Sequence, residues 1–132
     1  MGSTIDSLGT KFSSMQESER PSKVLVITIT DGLENASKKY PAEKLRNMIE
    51  TQSNVYNWDF IYTGANQDAI LVGNEMGVAT AYAATFNPTA ASYRKMSGSI
   101  LENSKNYRCA ESRSVAMAAL NFTEEDRSEM IS

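Results

Sequence analysis

Residues 24–35 read VLVITITDGLEN, seven β-formers running straight into an Asp-Gly. Within the run, Val24, Leu25, Val26, Ile27 and Ile29 are apolar without clean alternation, so both faces of the strand are written for burial. A strand of that kind belongs in a parallel sheet with helices on either side; a half-exposed antiparallel strand would alternate apolar and polar residues. Asp31 then falls where the strand leaves the sheet. It could serve there as a metal ligand, a helix cap or a turn residue.

Working outward, Ile5, Leu8, Phe12 and Met15 recur at helical spacing ahead of the strand, with Ser3 and Asp6 as an approximate capping pair. After the Asp-Gly, Pro41 suits a first helical position, and Ala42, Leu45, Met48 and Ile49 predict an amphipathic helix ending near Asn54. Residues 58–63, WDFIYT, predict a second strand in which Trp58 and Phe60 pack in the core. A helix follows, with Asn66 as N-cap, Asp68 in the first turn and Gly77 past its end. A short third strand is expected near residues 82–86. The next helix should turn Ala90, Tyr93, Met96, Ile100 and Leu101 inward, with Gly98 as a candidate break. From Arg108 the pattern weakens, and residues 123–131 read either as a short helix capped by Thr123 or as a loosely attached tail.

Helices alternating with strands predict βαβ crossovers and a partial doubly wound, Rossmann-like α/β fold with helices on both faces. Ligands of such sheets bind outside the carboxyl ends of the strands, the edge that holds Asp31 and residues 63–66.

Composition narrows the function. A chain of 132 residues fits one small domain. A net charge of −3 and a pI near 5.0 argue against a nucleic-acid footprint. Lys38, Lys39, Lys44, Arg46, Arg94 and Lys95 are interleaved with acids and read as solvated helix faces. No apolar run reaches the ~18 residues of a membrane helix, and the first residues lack the basic and apolar regions of a secretion signal. Cys109 is the only cysteine, which rules out an intrachain disulfide and suits a reducing cytoplasm. It reads as a small packing residue. The chain has no histidine, which removes the commonest general base and every Ser-His or Cys-His pair. We therefore expect a protein that is not an enzyme.

VITITDGLENAS (residues 26–37), followed by YNWDFIYTGANQDA (residues 56–69) and later by GV, AY and YR, resembles the von Willebrand factor A (VWA) domain, in particular its intracellular bacterial and phage forms. The likeness covers residues 4–108. It implies a doubly wound fold with a metal-ion-dependent adhesion site at the carboxyl edge, built from an Asp-x-Ser-x-Ser loop, a Thr loop and an Asp before Gly. Asp31 matches the last of these. The first two loops would precede this chain, and Thr4, at or in the cap of the first helix, is not assigned the ligand role. The resemblance therefore implies a VWA-like domain over residues 1–108 that lacks its first strands, followed by a C-terminal extension over 109–132. One carboxylate does not hold Mg²⁺ against its hydration shell. The adhesion site is then incomplete and no cofactor is expected; Mg²⁺ or Mn²⁺ would bind only if another chain supplied the missing ligands. Otherwise Asp31 bonds to turn amides around Leu33 and Glu34, since Glu34 and Asn35 lie too close in sequence to converge on an ion.

The absent first strand would leave residues 24–30 at the sheet edge, with no charge, proline or bulge to protect it. The expected remedy is a homodimer in which two copies of this strand, Val24 through Thr30, pair across a two-fold axis. The leading expectation is a protein-binding or scaffold module with an unidentified protein partner. The alternative is a small-ligand or nucleotide-binding enzyme domain on another doubly wound fold. That alternative needs a glycine-rich phosphate loop, and the candidates are only SLGTKFSS (residues 7–14) and the single Gly64 of TGANQDA.

Overall fold

The computed structural model describes residues 1–30, 41–65 and 68–131. Its helices and strands run α1 Gly2–Ser13, β1 Leu25–Thr30, α2 Ala42–Tyr56, β2 Asp59–Ala65, α3 Ala69–Glu75, β3 Ala83–Phe86, α4 Ala90–Cys109, α5 Arg113–Ala119 and α6 Glu124–Ile131. The strands form a parallel sheet in the order β1-β2-β3. Val26 pairs with Phe60 and Thr30 with Gly64; across the other side of β2, Tyr62 pairs with Ala83 and Ala65 with Phe86. At this level the expected α/β, Rossmann-like architecture is observed: a parallel sheet flanked by helices.

Register sorts the side chains into two cores. Even-numbered residues of β2 face α1, α2 and α3, where Phe60 and Tyr62 meet Val26, Ala83, Ile5, Ile49, Ala69 and Met76. Trp58 joins this core, as expected of a packing residue. Odd-numbered residues face the other way: Ile61 and Ala65, with Ala84 and Phe86, lie under Met96, Ile100 and Tyr107 of α4. Ala116 of α5, Leu120, Phe122 and Met130 of α6 complete that layer. The stretch beyond Arg108 thus helps to close one face of the sheet and is not a loose tail. Thr123 caps α6 as expected. Its Oγ1 accepts from the Asp126 N–H at 3.0 Å, and Asp126 Oδ2 accepts from the Thr123 N–H at 3.0 Å.

Several local expectations are corrected. Helix α1 begins at Gly2 behind Met1, which places Ser3 inside the first turn and not at a cap. Pro41 is the N-cap of α2, which continues to Tyr56 and stops where Asn57 turns left-handed at φ 58°. The N-cap of α3 is Asp68, not Asn66; Asp68 Oδ1 accepts from the Leu71 N–H at 3.1 Å. Helix α4 runs 20 residues straight through Gly98, because the packing of so long a helix exceeds the ~1 kcal/mol propensity cost of one glycine. Its inward stripe is Ser92, Met96, Ile100 and Tyr107, so Tyr93 and Leu101 are exposed at 49% and 69%. Cys109 is exposed at the end of α4 and is not a packing residue.

Strand β1 departs most from its pattern. Val26 is buried, yet Ile27 and Ile29 are 37% and 45% exposed. The α4–α6 layer packs on β2, β3 and Leu25 and leaves Ile27 and Ile29 partly exposed on that face. Among the described residues no helix is long and apolar enough to cross a membrane.

Candidate functional site

The carboxyl edge of the sheet holds a shallow cleft of about 680 Å³ lined by Ile29, Thr30, Ala65, Phe86, Pro88 and Tyr93, among others. Tyr93 stands edge-on to Phe86 at 5.8 Å between ring centroids. Asp31, Glu34, Asn35 and Asn66 lie outside the described residues, so Asp31 is placed only by sequence, one residue past the end of β1. Among the described residues no carboxylate lines the cleft, and there is no group of three His, Cys, Asp or Glu side chains able to hold a metal. Thr4 sits within α1, on a groove that runs along β1 with Met1 and Leu8.

The outer edge of β1 is the second candidate. β1 pairs with β2 alone among the described strands, and Leu25–Thr30 contains no charged residue. Ile27 and Ile29 project from the uncovered face, while the Thr28 carbonyl accepts from Thr63 Oγ1 at 3.3 Å, tying the inner side to β2. An edge that no other described strand pairs with, carrying two exposed isoleucines, offers both hydrogen bonds and apolar area to another strand.

At the opposite, amino edge lies a buried polar cluster that the sequence reading missed. Asp59, 5% exposed at the start of β2, accepts from Arg113 at both oxygens: Nη1 to Oδ2 at 2.7 Å and Nη2 to Oδ1 at 3.0 Å. The Tyr107 hydroxyl also reaches Oδ2 at 2.7 Å and lies 3.3 Å from the Val24 carbonyl. Lys23 Nζ donates to the carbonyls of Arg108 and Ala110 at 3.1 and 2.7 Å, pinning the end of α4 beside β1. Burial pushes the Tyr107 phenol well above its ordinary pKa, and the hydrogen bond and charge of Asp59 push the same way. For Arg113, burial opposes the charge, but the Asp59 hydrogen bond and charge outweigh it and hold the guanidinium above its usual value. With three donors from this chain on its two oxygens, Asp59 ties β2 to α4 and α5. The only local signal was the acid in WDF, at the mouth of an otherwise apolar strand.

Comparison with protein-family models, with curated proteins and with solved structures returned no match.

Proposed function

We propose that the chain is a non-catalytic protein-binding or scaffold module of the VWA type, acting through the outer edge of its sheet and pairing there with a second copy of itself. The observation that carries this reading is β1: an edge strand with apolar residues on both faces, two of whose isoleucines remain exposed. Two copies would meet without like-charge repulsion, since Leu25–Thr30 is uncharged, and pairing would cover Ile27 and Ile29 while adding backbone hydrogen bonds along that edge. The VWA assignment rests on the TDGLEN and GANQDA stretches together with the parallel sheet. In that assignment Asp31 is one oxygen ligand of the adhesion site, and Mg²⁺ or Mn²⁺ would need further ligands beside it.

Light scattering after size exclusion, combined with amide exchange, tests the pairing. The expected result is twice the chain mass with slow exchange throughout residues 25–30. A monomer mass at high protein concentration would overturn it.

A further inference from the structure

A further cavity lies at the amino end of the sheet, where α1 and α2 end. Phe12, Tyr56 and Trp58 wall a space of about 420 Å³, with Pro21 and Val24 adding to its apolar lining. Phe12 meets Trp58 edge-on, with ring centroids 5.8 Å apart and planes at 73°. A volume of this size lies within the ~300–1,000 Å³ range of small-molecule sites, which are largely apolar with a few placed polar groups. Aromatic walls in a fixed mutual orientation favour a flat ring as occupant.

Arg20 supplies the one charged side chain in this lining. Its Nε donates to the Met15 carbonyl at 3.2 Å, which anchors the side chain, and its two Nη groups make no hydrogen bond or ion pair among the described residues. Several carbonyls at the nearby helix ends already accept hydrogen bonds. The Ser14 N–H reaches the Thr10 and Lys11 oxygens, the Ser13 and Ser14 hydroxyls reach the same two, and the Trp58 N–H reaches Gln52. The lining also holds the Ser22 hydroxyl and the Gln52 amide, which can donate or accept, so the charge at this cavity is that of Arg20 alone, on a chain whose net charge is −3. A guanidinium with both outer nitrogens open matches a carboxylate in two-point geometry.

We infer that this cavity is a binding site for a small planar aromatic carboxylate, whose ring packs against Tyr56, Phe12 and Trp58 and whose carboxylate pairs with Arg20. Trp58 is the only tryptophan, so a single indole N–H resonance reports on the site. The test titrates ¹⁵N-labelled protein with benzoate, benzamide and benzylammonium, which share one ring and differ in charge. Benzoate should move the Trp58 indole signal saturably, with the other two binding about tenfold or more weaker, the loss expected for a charged hydrogen bond. Arg20→Met keeps the stem and should bring benzoate down to the benzamide level. Tyr56→Ala, at an exposed wall position, should weaken all three ligands. Absence of a saturable shift with any of them would overturn the inference. So would equal responses to the three, or an unchanged benzoate affinity in a folded Arg20→Met protein. Should Arg20→Met fail to fold, the three-ligand comparison on the unaltered chain still decides.

Discussion

Arg113 grips Asp59 with both ends of its guanidinium, at 2.7 and 3.0 Å, and so fastens α5 to the first residue of β2. The carboxylate side chain is 4% exposed and the arginine 38%, so most of the desolvation falls on Asp59. Removing the arginine leaves a buried acid short of two of its three donors. Arg113→Met is expected to lower unfolding free energy by about 2 kcal/mol, below the full cost of breaking a wholly buried pair because the guanidinium is partly solvated. Urea titration measures it. The double variant Asp59→Asn/Arg113→Met should lose less than the sum of the two single changes.

The third donor to Asp59 sets an alkaline limit. The Tyr107 phenol has its pKa raised by burial first and by Asp59 second. A tyrosine in the unfolded chain releases its proton near pH 10, whereas the folded state keeps this one well beyond that. Stability from the phenol is thus fully present below about pH 10 and is lost as pH climbs above it, by up to about 1.4 kcal/mol per pH unit. Tyr82, raised by burial and then by the Asp59 charge, adds in the same direction. Tyr107→Phe should cost about 1 kcal/mol at neutral pH and flatten the decline above pH 10, read from urea midpoints across the alkaline range.

Strands β1 to β3 were readable because apolar runs bounded by turn residues carry their own signal, α2 because its apolar residues recur at helical spacing, and α3 because Asp68 stands in its first turn region and Gly77 just past its end. What was missed had no local signature. Helix α5 is seven residues long, too short for a period to declare itself. The partners of Asp59 lie 48 and 54 positions away in sequence, and no spacing rule connects them. The inward stripe of α4 runs through Ser92 and not Tyr93, because Thr89 starts the helix by accepting the Ser92 N–H at 3.1 Å and the sheet then lies under Met96 and Ile100. Asp31 lies outside the described residues, so its role rests on the sequence alone. At β1 the pattern announced burial on both faces; the structure leaves one partly bare, since the α4–α6 layer packs on Leu25 but leaves Ile27 and Ile29 partly exposed.

The C-terminal helices pack on the same core as the sheet and are expected to unfold with it. Leu120 is fully buried against the core that holds Ile61, Phe86 and Met96. Leu120→Ala should cost about 3 kcal/mol, and unfolding followed by fluorescence and by far-UV circular dichroism should remain one coincident transition. Separate transitions, with residues 110–131 melting first, would mark a weakly attached segment.

Two glycines give opposite expectations. A Cβ on Gly98 meets nothing within 4 Å, in the middle of α4, so Gly98→Ala should stabilise by about 0.5–1 kcal/mol through helix propensity and a less disordered unfolded state. A Cβ on Gly73 would lie 3.2 Å from the Ala83 Cβ, between α3 and β3. The strand must yield to admit it, and Gly73→Ala should cost about 1–2 kcal/mol by overpacking. Thermal melts of the pair, compared with the parent, check both signs.

The β1 edge yields the prediction that bears most on function. Because Ile27 and Ile29 are already 37% and 45% exposed in a single chain, lysine at these positions should disturb the isolated fold little, within about 1 kcal/mol for exposed sites. In a strand-paired dimer the same lysines would face their copies across the two-fold axis, where like charges repel and inward charge defeats edge pairing. The Ile27→Lys/Ile29→Lys protein should therefore be a monomer by light scattering. Its melting temperature should stay constant with protein concentration, while that of the parent rises as mass action favours the dimer. If both proteins have the monomer mass and concentration-independent melting, the strand edge is not where this chain associates. If both remain dimers of equal stability, association uses another face.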